Sequence, residues 1–355
     1  MDSCLVGSEM CIRDRSTPAG ETVTLTLDDV RSLTTAALLA SGANQANADA
    51  VADVVTRAER DGCASHGVFR VPGYCSAIKS GDSKGDASPT VERRAPGVVF
   101  VDGDRGVAPL PMAIGRPVLA QAAKENGIAS MAIRNSAHFA ALWPDVEPLA
   151  EQGLIAMSYV NSRAFVAPAG GTKAIYGTNP MSFACPRANG RAPMVWDQAS
   201  SAAARGEIMI AARDGHSVPE GFGLGPDGQP TTDPNKVLDG VQLAFGGYKG
   251  AAVAMMVEIL AAGLSGGELS YEADEQYAGH GGPTHNGHLV IAMDPAKFGA
   301  DSFLARVESL FERILDDGDA RLPGDRRLAN RIRIPTEGAV LPAKLVEEVR
   351  ALAAS

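Results

Sequence analysis

Apolar positions recur at helical spacing near both ends of the chain, while the middle holds short apolar runs broken by turn residues. From Thr24, TLTLDDVRSLTTAALLASG places acidic residues early and apolar residues three and four apart, and Gly42 stands where such a helix stops. A second helix, opened by Asn44 or Asn47, runs through ADAVADVVTRAERDG to Gly62, and a third follows Ser65 across VFRVPGYCSAIKSG. From Gly97 the pattern changes. VVFVDGD, IASMAIRN, LIAMSYVN and MVWDQA are β-rich runs separated by Gly, Pro and Asn, and between two of them Ala140 to Gln152 reads as a helix. Pro219 to Pro234 reads as an exposed loop. FGGYKGAAVAMMVEILAAGLSGG is a Gly-rich turn feeding an almost wholly apolar helix, whose side chains are expected in the core. HLVIAMDP is one more strand, and the tail from Asp301 alternates amphipathic helix with loop.

This order predicts an α+β fold with a helical layer drawn from both chain ends around a central sheet. Residues 23–96 and 250–355 are assigned to the helical part, which would carry substrate binding and dimerisation, and 97–249 to the sheet. Residues 1–22 are set apart as an extension. MDSCLVGSEMCIRDR has no coherent period, lacks the apolar core of a signal peptide, and resembles translated adapter sequence rather than native protein.

Composition narrows the function. A formal charge of -10 and a pI near 5.1, with no basic run, exclude nucleic acid and anionic membrane as partners. Ala251 to Leu264 is too short to span a membrane and is interrupted by Glu258. Five Cys form no CxxC pair, which argues against a disulfide framework or zinc site and for a reducing, cytoplasmic compartment.

No G-x-G-x-x-G lies between a strand and a helix, so a Rossmann fold is not indicated; GFGLGPDG has glycines but no strand leads into it. The most informative stretch is ASHGVFRVPGY. His66 and Arg70 are four apart and on a helix would share a face. An Arg fork holds a carboxylate and a nearby His moves a proton near neutral pH; alternatively, the His caps the helix and the Arg is a surface residue. Ser65 beside His66 does not suggest a hydrolase, because adjacent side chains do not readily bond as nucleophile and base and no G-x-S-x-G elbow is present. His138 follows a strand and precedes a helix, where free backbone amides hold phosphate or ribose, although a lone His there need not be a ligand. In FGGYKG the glycines permit close approach and Lys249 adds charge at a helix N-terminus, unless the segment is only a tight turn. GHGGPTHNGH groups His280, His285 and His288, but the glycines and the lack of an acidic residue between them argue for an irregular loop, and no metal is expected.

Taken together, SHGVFRVPGY, NSAHFAALWP, EQGLIAMSYVNS, YGTNPMSFACP, ARGEI, GQPTTDP, FGGYKG and HLVIAMDP run co-linearly over about residues 25–300. In that order they resemble the type-2 malate/L-lactate dehydrogenase family, which is unrelated to the Rossmann lactate dehydrogenases. SHGVFRVPGY and HFAALWPDVEPLAEQGL look most like its piperideine-2-carboxylate/pyrroline-2-carboxylate reductases, which convert cyclic ketimines to pipecolate and proline with NADPH, often accepting NADH. The resemblance implies a homodimer with a non-Rossmann cofactor-binding sheet domain and a small cyclic imino acid as substrate. By motif, it makes His66 the proton donor with Ser65 in its relay and Glu207 a further acidic relay residue. Arg70 would hold the substrate carboxylate, with Thr178 and Ser200 beside the substrate. His138, Phe139, Ala140, Ala141 and Leu142 would line the cofactor, as would Trp196, Asp197 and Gln198. Gly247, Lys249, His280, Gly282, Pro283 and Asn286 complete that implied site.

Three positions depart from the family pattern: Ser200 stands for a frequent Thr, Trp196 for Phe or Leu, and Arg163 for a smaller or apolar residue. They bear on the substrate more than on the reaction. The same groups would also serve a 2-hydroxy-acid dehydrogenase of the malate, lactate or ureidoglycolate type.

Overall fold

The computed structural model describes residues 20–276, 284–299 and 302–355. Strand β1 (Thr22–Leu25) leads into α1 (Leu27–Ala40), where Thr26 and Asp29 form a reciprocal capping box. Asn44, one of the two expected openings, caps α2 (Gln45–Arg60) by accepting from the Asn47 amide, whereas Thr24 and Leu25, read with the first helix, belong to strand β1. The third expected helix is not continuous. Ala64–His66 and Val68–Arg70 form two short 3₁₀ turns on either side of Gly67, and only then does α3 (Val71–Lys79) begin. Pro72 suits the first turn of α3 but cannot lie inside a helix without breaking its hydrogen-bond ladder.

The centre is a seven-stranded mixed sheet. It is built from β2 (Thr90–Ala95), β3 (Val98–Val107), β4 (Ile128–Ala137), β5 (Ile155–Val160), β6 (Met181–Cys185) and β7 (Met194–Gln198). Between β3 and β4 runs α4 (Pro109–Asn126), the crossover that their parallel pairing requires. After β4 comes α5 (Trp143–Ala150), and after β7 come α6 (Arg205–Asp214) and a small ribbon of β8 (Gly223–Leu224) and β9 (Val241–Gln242) flanking α7 (Pro234–Asp239). The ribbon corrects the expectation of a purely exposed loop, since Gly223 and Leu224 are buried by pairing with β9.

Next follow α8 (Tyr248–Glu258), a π-helical turn (Ile259–Gly263) and α9 (Ser270–Gln276). The chain then returns to the sheet as β10 (His288–Met293), which lies between β4 and β5, antiparallel to both. The last elements are α10 (Phe303–Leu315), α11 (Asp325–Glu337), β11 (Ala339–Pro342) and α12 (Ala343–Ala353), with β11 pairing back onto β1.

Two cores result. One packs α4 and α5 on the sheet through Leu119, Met131, Trp143, Leu149 and Val290. The other joins α1, α2, α3 and α12 through Leu38, Val51, Tyr74 and Val346, so both chain ends share one helical layer. Arg331 of α11 ties the layers together by pairing with buried Asp61 and with Glu147 of α5.

The expectation that the α8 segment is core is half right. Ala251, Ala254, Val257, Ala261 and Ala262 are buried, but Tyr248 is 71% exposed, Met255 47% and Ile259 59%. A helix apolar all round can bury only one face against a single neighbour, and here the other face stays open. No described helix is long and apolar enough to cross a membrane.

Candidate active site

The site forms where β4 and β5 end and β10 begins, against the two 3₁₀ turns. His66 and Arg70 meet there by a route other than a shared α-helical face. Gly67 (φ −89°, ψ −137°) bends the chain between the two turns, and the Arg70 side chain folds back so that its Nε donates to the Ser65 carbonyl at 2.8 Å. Glu59 seats the bend from α2 by accepting the Val68 amide at 2.7 Å. A Cβ on Gly67 would lie 1.9 Å from the Glu59 carboxylate, so only glycine fits.

Ser65 Oγ lies 3.0 Å from His66 Nδ1, which corrects the expectation that these neighbours would not bond. Their backbone is a 3₁₀ turn rather than an α-helix, and this brings hydroxyl and ring together. His66 is half-buried, and burial with the positive Arg70 and the nearby His138 takes its pKa down to about 3. Burial likewise lowers that of Arg70, which pairs with no carboxylate among the described residues. The start of α6 packs on this segment: a Cβ on Gly206 would stand 3.5 Å from Arg70 Nη2 and 3.9 Å from Ser65 Cβ. Glu207 is the next residue, in the first turn of α6.

The segment after β4 carries His138, Phe139 and Ala140, all half-buried, then buried Ala141 and Leu142. Phe139 packs edge-on against Tyr74 at 5.0 Å. The His138 pKa falls to about 4, through burial and the neighbouring His288, with Asp145 acting the other way. Thr178 is half-buried, and its amide donates to Ser162 Oγ at 3.1 Å.

Several motif residues are also tied into the interior by hydrogen bonds. Ser200 is fully buried and donates to the Asn179 carbonyl, while its amide donates to the Thr178 carbonyl, so it holds the Thr178 turn from behind. Asp197 is buried, accepts the Leu142 amide at 3.2 Å and pairs with Arg327. Its neighbours on β7, Trp196 and Gln198, are half-buried on the opposite face, with Trp196 stacked on Phe183. Asn286 is buried and donates to the Asn161 carbonyl. His280, Gly282 and Pro283 lie outside the described residues. Arg163, expected as an additional cation, pairs with Asp274 at 2.9 Å.

For a dinucleotide, the fitting features lie around α8. Gly246 (φ +55°) and Gly247 (φ +65°) have open space where a Cβ would be, so a ligand can approach the backbone. At the start of α8 the Gly250 amide already donates to the Phe245 carbonyl, while those of Tyr248 and Lys249 precede the helix's own bonds, and with the exposed Lys249 side chain they make a donor set suited to phosphate.

The residues the motifs did not reveal are Glu258, Asp145, Ser158 and His288. Glu258, the one charge between Ala251 and Leu264, is a buried hub that accepts from Asn161, Asn179 and Ser270. Its polarity at an otherwise apolar position was the available signal. Asp145, Ser158 and His288 cluster beside His138, and His138, Asp145 and His288 place ligand-type atoms within 4.8 Å of one another. No sequence spacing announces this group, because Ser158 and His288 are 130 residues apart.

Comparison with known proteins agrees with this architecture. The malate/L-lactate dehydrogenase family model matches residues 25–350. The chain is 45% identical to a Δ1-pyrroline-2-carboxylate reductase of Ancylobacter novellus, covering 94% of this chain and 98% of that one. It is 40% identical to an NADP+-dependent (2R)-3-sulfolactate dehydrogenase of Chromohalobacter salexigens, covering 93% and 98%. The crystal structure of Δ1-piperideine-2-carboxylate reductase from Pseudomonas syringae superposes with a TM-score of 0.89 at 43% identity, over 93% of this chain and all of that one. The chain is therefore a member of the malate/L-lactate dehydrogenase family.

Proposed function

We propose that the protein reduces cyclic ketimine 2-carboxylates, piperideine-2-carboxylate to pipecolate and pyrroline-2-carboxylate to proline, with NADPH, accepting NADH as well. The observation that carries this reading is Arg70: a half-buried guanidinium, fixed by its Nε and paired with no carboxylate among the described residues, beside the Ser65–His66 pair. That is the donor set for an acid whose neighbouring carbon is reduced.

The nicotinamide supplies hydride to the imine carbon; the residues must place the substrate and deliver a proton. Arg70 takes the carboxylate in a fork, which fixes the adjacent C=N bond. Burial first, and the Arg70 charge second, hold His66 neutral; a bound carboxylate offsets the Arg70 part, so that contribution no longer opposes protonation of His66. His66 then protonates the imine nitrogen as hydride reaches carbon, with Ser65 holding the ring through Nδ1. Thr178 borders the substrate, Ser200 supports it, and Glu207 completes the relay at the start of α6. The segment His138–Leu142, the Trp196–Gln198 strand, the turn at Gly247 and Lys249, and Asn286 with the preceding loop form the cofactor side. The exposed Tyr248, Met255 and Ile259 stripe supports a homodimer.

A second reading, a 2-hydroxy-acid dehydrogenase, is favoured by the sulfolactate dehydrogenase relative and by Arg205. Arg205 lies over the Phe165 ring, pairs with no carboxylate among the described residues, and has its pKa brought down to about 10 by burial and by Arg163. A doubly anionic acid would suit such a cation. The deciding experiment follows NADPH oxidation with piperideine-2-carboxylate, pyruvate and oxaloacetate in parallel. Turnover confined to the imine supports the proposal, and turnover confined to the keto acids replaces it with the second reading.

A further inference from the structure

Behind the ligand-facing residues, at the junction of β5, β10 and α5, lies a chain of buried polar groups that the steps above leave unused. Its placement follows from strand register. His288 pairs with Val160 on β5, so Ser158, two residues back, shares its face of the sheet. The first turn of α5 covers that face and brings in Asp145. Ser158 Oγ stands 2.7 Å from His288 Nε2 and 3.3 Å from Asp145 Oδ2, and all three residues are buried.

The proton positions follow from the donor inventory. A carboxylate only accepts, so the Ser158 hydroxyl donates to Asp145 and its lone pair accepts from His288 Nε2–H. His288 thereby carries a proton on Nε2, which also stands 3.4 Å from Asp145 Oδ2, and its other ring nitrogen is Nδ1. That Nδ1 has no partner, and its residue is only 3% exposed. The His138 ring stands perpendicular to His288 with centroids 5.4 Å apart, and one nitrogen of each lies within 4.8 Å of the other and of the Asp145 carboxylate.

We infer that Asp145, Ser158 and His288 act as positioning residues for His138, their bonded cluster packing its ring edge-to-face where the chain leaves β4 and so fixing its place beside the Ser65–Arg70 segment. His138 then stands as a second imidazole beside His66 and Arg70. The inference rests on the reductase reading. The charged and titratable groups around His138 are His66 and Arg70 from the 3₁₀ turns, Asp145 from α5 and His288 from β10; Tyr74 of α3 and Arg116 of α4 in turn face Asp145.

The test uses the whole enzyme with His288→Leu and His288→Gln, assayed with piperideine-2-carboxylate and NADPH from pH 5.5 to 9. Gln keeps a donor for Ser158, and Leu keeps none. The expected result for His288→Leu is a ten- to hundredfold fall in kcat, a KM for the imine within about threefold of wild type, a displaced pH profile of kcat, and an unchanged melting temperature, in the range known for residues that orient a first-line ligand. His288→Gln recovers most of the loss. Nitrogen NMR of imidazole-labelled protein should show His288 protonated on Nε2. The inference is overturned if His288→Leu keeps the wild-type kcat and pH profile, if its loss only follows a loss of folded protein, or if His288 carries its proton on Nδ1. Stoichiometric metal bound by His138, Asp145 and His288 in the purified enzyme would also overturn it. Because the NMR measurement needs no turnover, a wild-type enzyme inactive on the imine would sink the reductase reading while the tautomer still decides this one.

Discussion

The Nε of Arg70 donates to the backbone carbonyl of Ser65 at 2.8 Å, so the residue that would hold a substrate carboxylate is fastened to the residue that holds the proposed proton donor. This bond spends one guanidinium N–H on orientation and leaves the terminal nitrogens for a fork onto a carboxylate. Arg70→Ala is expected to raise KM for the imino acid and lower kcat/KM several hundredfold or more, on the order of 3 kcal/mol or above in transition-state binding. Arg70→Lys recovers only part, since an ammonium cannot form the fork. Steady-state kinetics with piperideine-2-carboxylate decide it: a variant with wild-type kcat/KM would remove Arg70 from substrate binding.

His66 should separate chemistry from cofactor binding. Its contribution is a proton transferred in the transition state, so His66→Ala should lower kcat by about 10²–10⁴-fold while the NADPH dissociation constant, read by quenching of protein fluorescence, changes little. Ser65→Ala should cost less, because it loosens the ring through Nδ1 without removing the donor.

Acid should destabilise this protein through its histidines. His66 and His138 have folded pKa values of about 3 and about 4, below the 6.5 of an unfolded histidine. Between those values the unfolded chain binds more protons than the folded one, so stability falls as pH drops from about 6.5 toward 4 and is unaffected by these groups above 7. Both groups are partly exposed, which moderates the size of the effect. The double variant His66→Asn/His138→Asn should therefore lose less melting temperature between pH 7 and pH 5 than the wild type does. An identical loss in both would show that these imidazoles charge freely in the folded state.

Much of this architecture was legible in the chain, for identifiable reasons. The helix starts at Thr26 and Asn44 announce themselves through side chains that cap their own backbone, a signal spanning three residues. The β-rich runs give the sheet strands, and the co-linear motifs give the family. What was hidden depends on distant partners. The place of β10 between β4 and β5 is a pairing choice no local pattern encodes. The 3₁₀ turns at His66 and Arg70 arise because Gly67 packs against Glu59 from another helix and Pro72 sets the start of α3. Ser200 and Asp197 are implied as ligand contacts by their motifs, but the interior bonds they make, to Asn179 and to Leu142 and Arg327, could not be read there, because burial is not written in a motif.

The junction of Arg331 with Asp61 and Glu147 should be the most sensitive point of the C-terminal layer. Asp61 is fully buried at its side chain and Glu147 is 4% exposed, so removing Arg331 takes the cation from buried Glu147 and leaves Asp61 with Arg60 as its partner. Truncation of one partner in such a buried arrangement costs roughly 3–5 kcal/mol, well above the value of a surface pair. Arg331→Met, which keeps the length but not the charge, should lower the urea midpoint accordingly, whereas Arg333→Met, on the exposed Arg333–Glu337 pair, should move it little. Equal midpoints for the two variants would mean that the buried network is solvated in solution.

The open face of α8 gives the last test. Tyr248, Met255 and Ile259 repeat at helical spacing, and each is at least 47% exposed. A soluble monomer rarely leaves such a stripe in water, and a second copy presenting the same stripe would bury both about a two-fold axis. Met255→Glu with Ile259→Glu places like charges opposite one another across that axis without touching the buried Ala254 and Val257 face. Light scattering should find the wild type as a dimer and the double variant as a folded monomer with weakened NADPH binding, since the same helix begins at the Gly247 turn. A wild-type monomer, or a double variant that remains dimeric, would place the contact elsewhere on the surface.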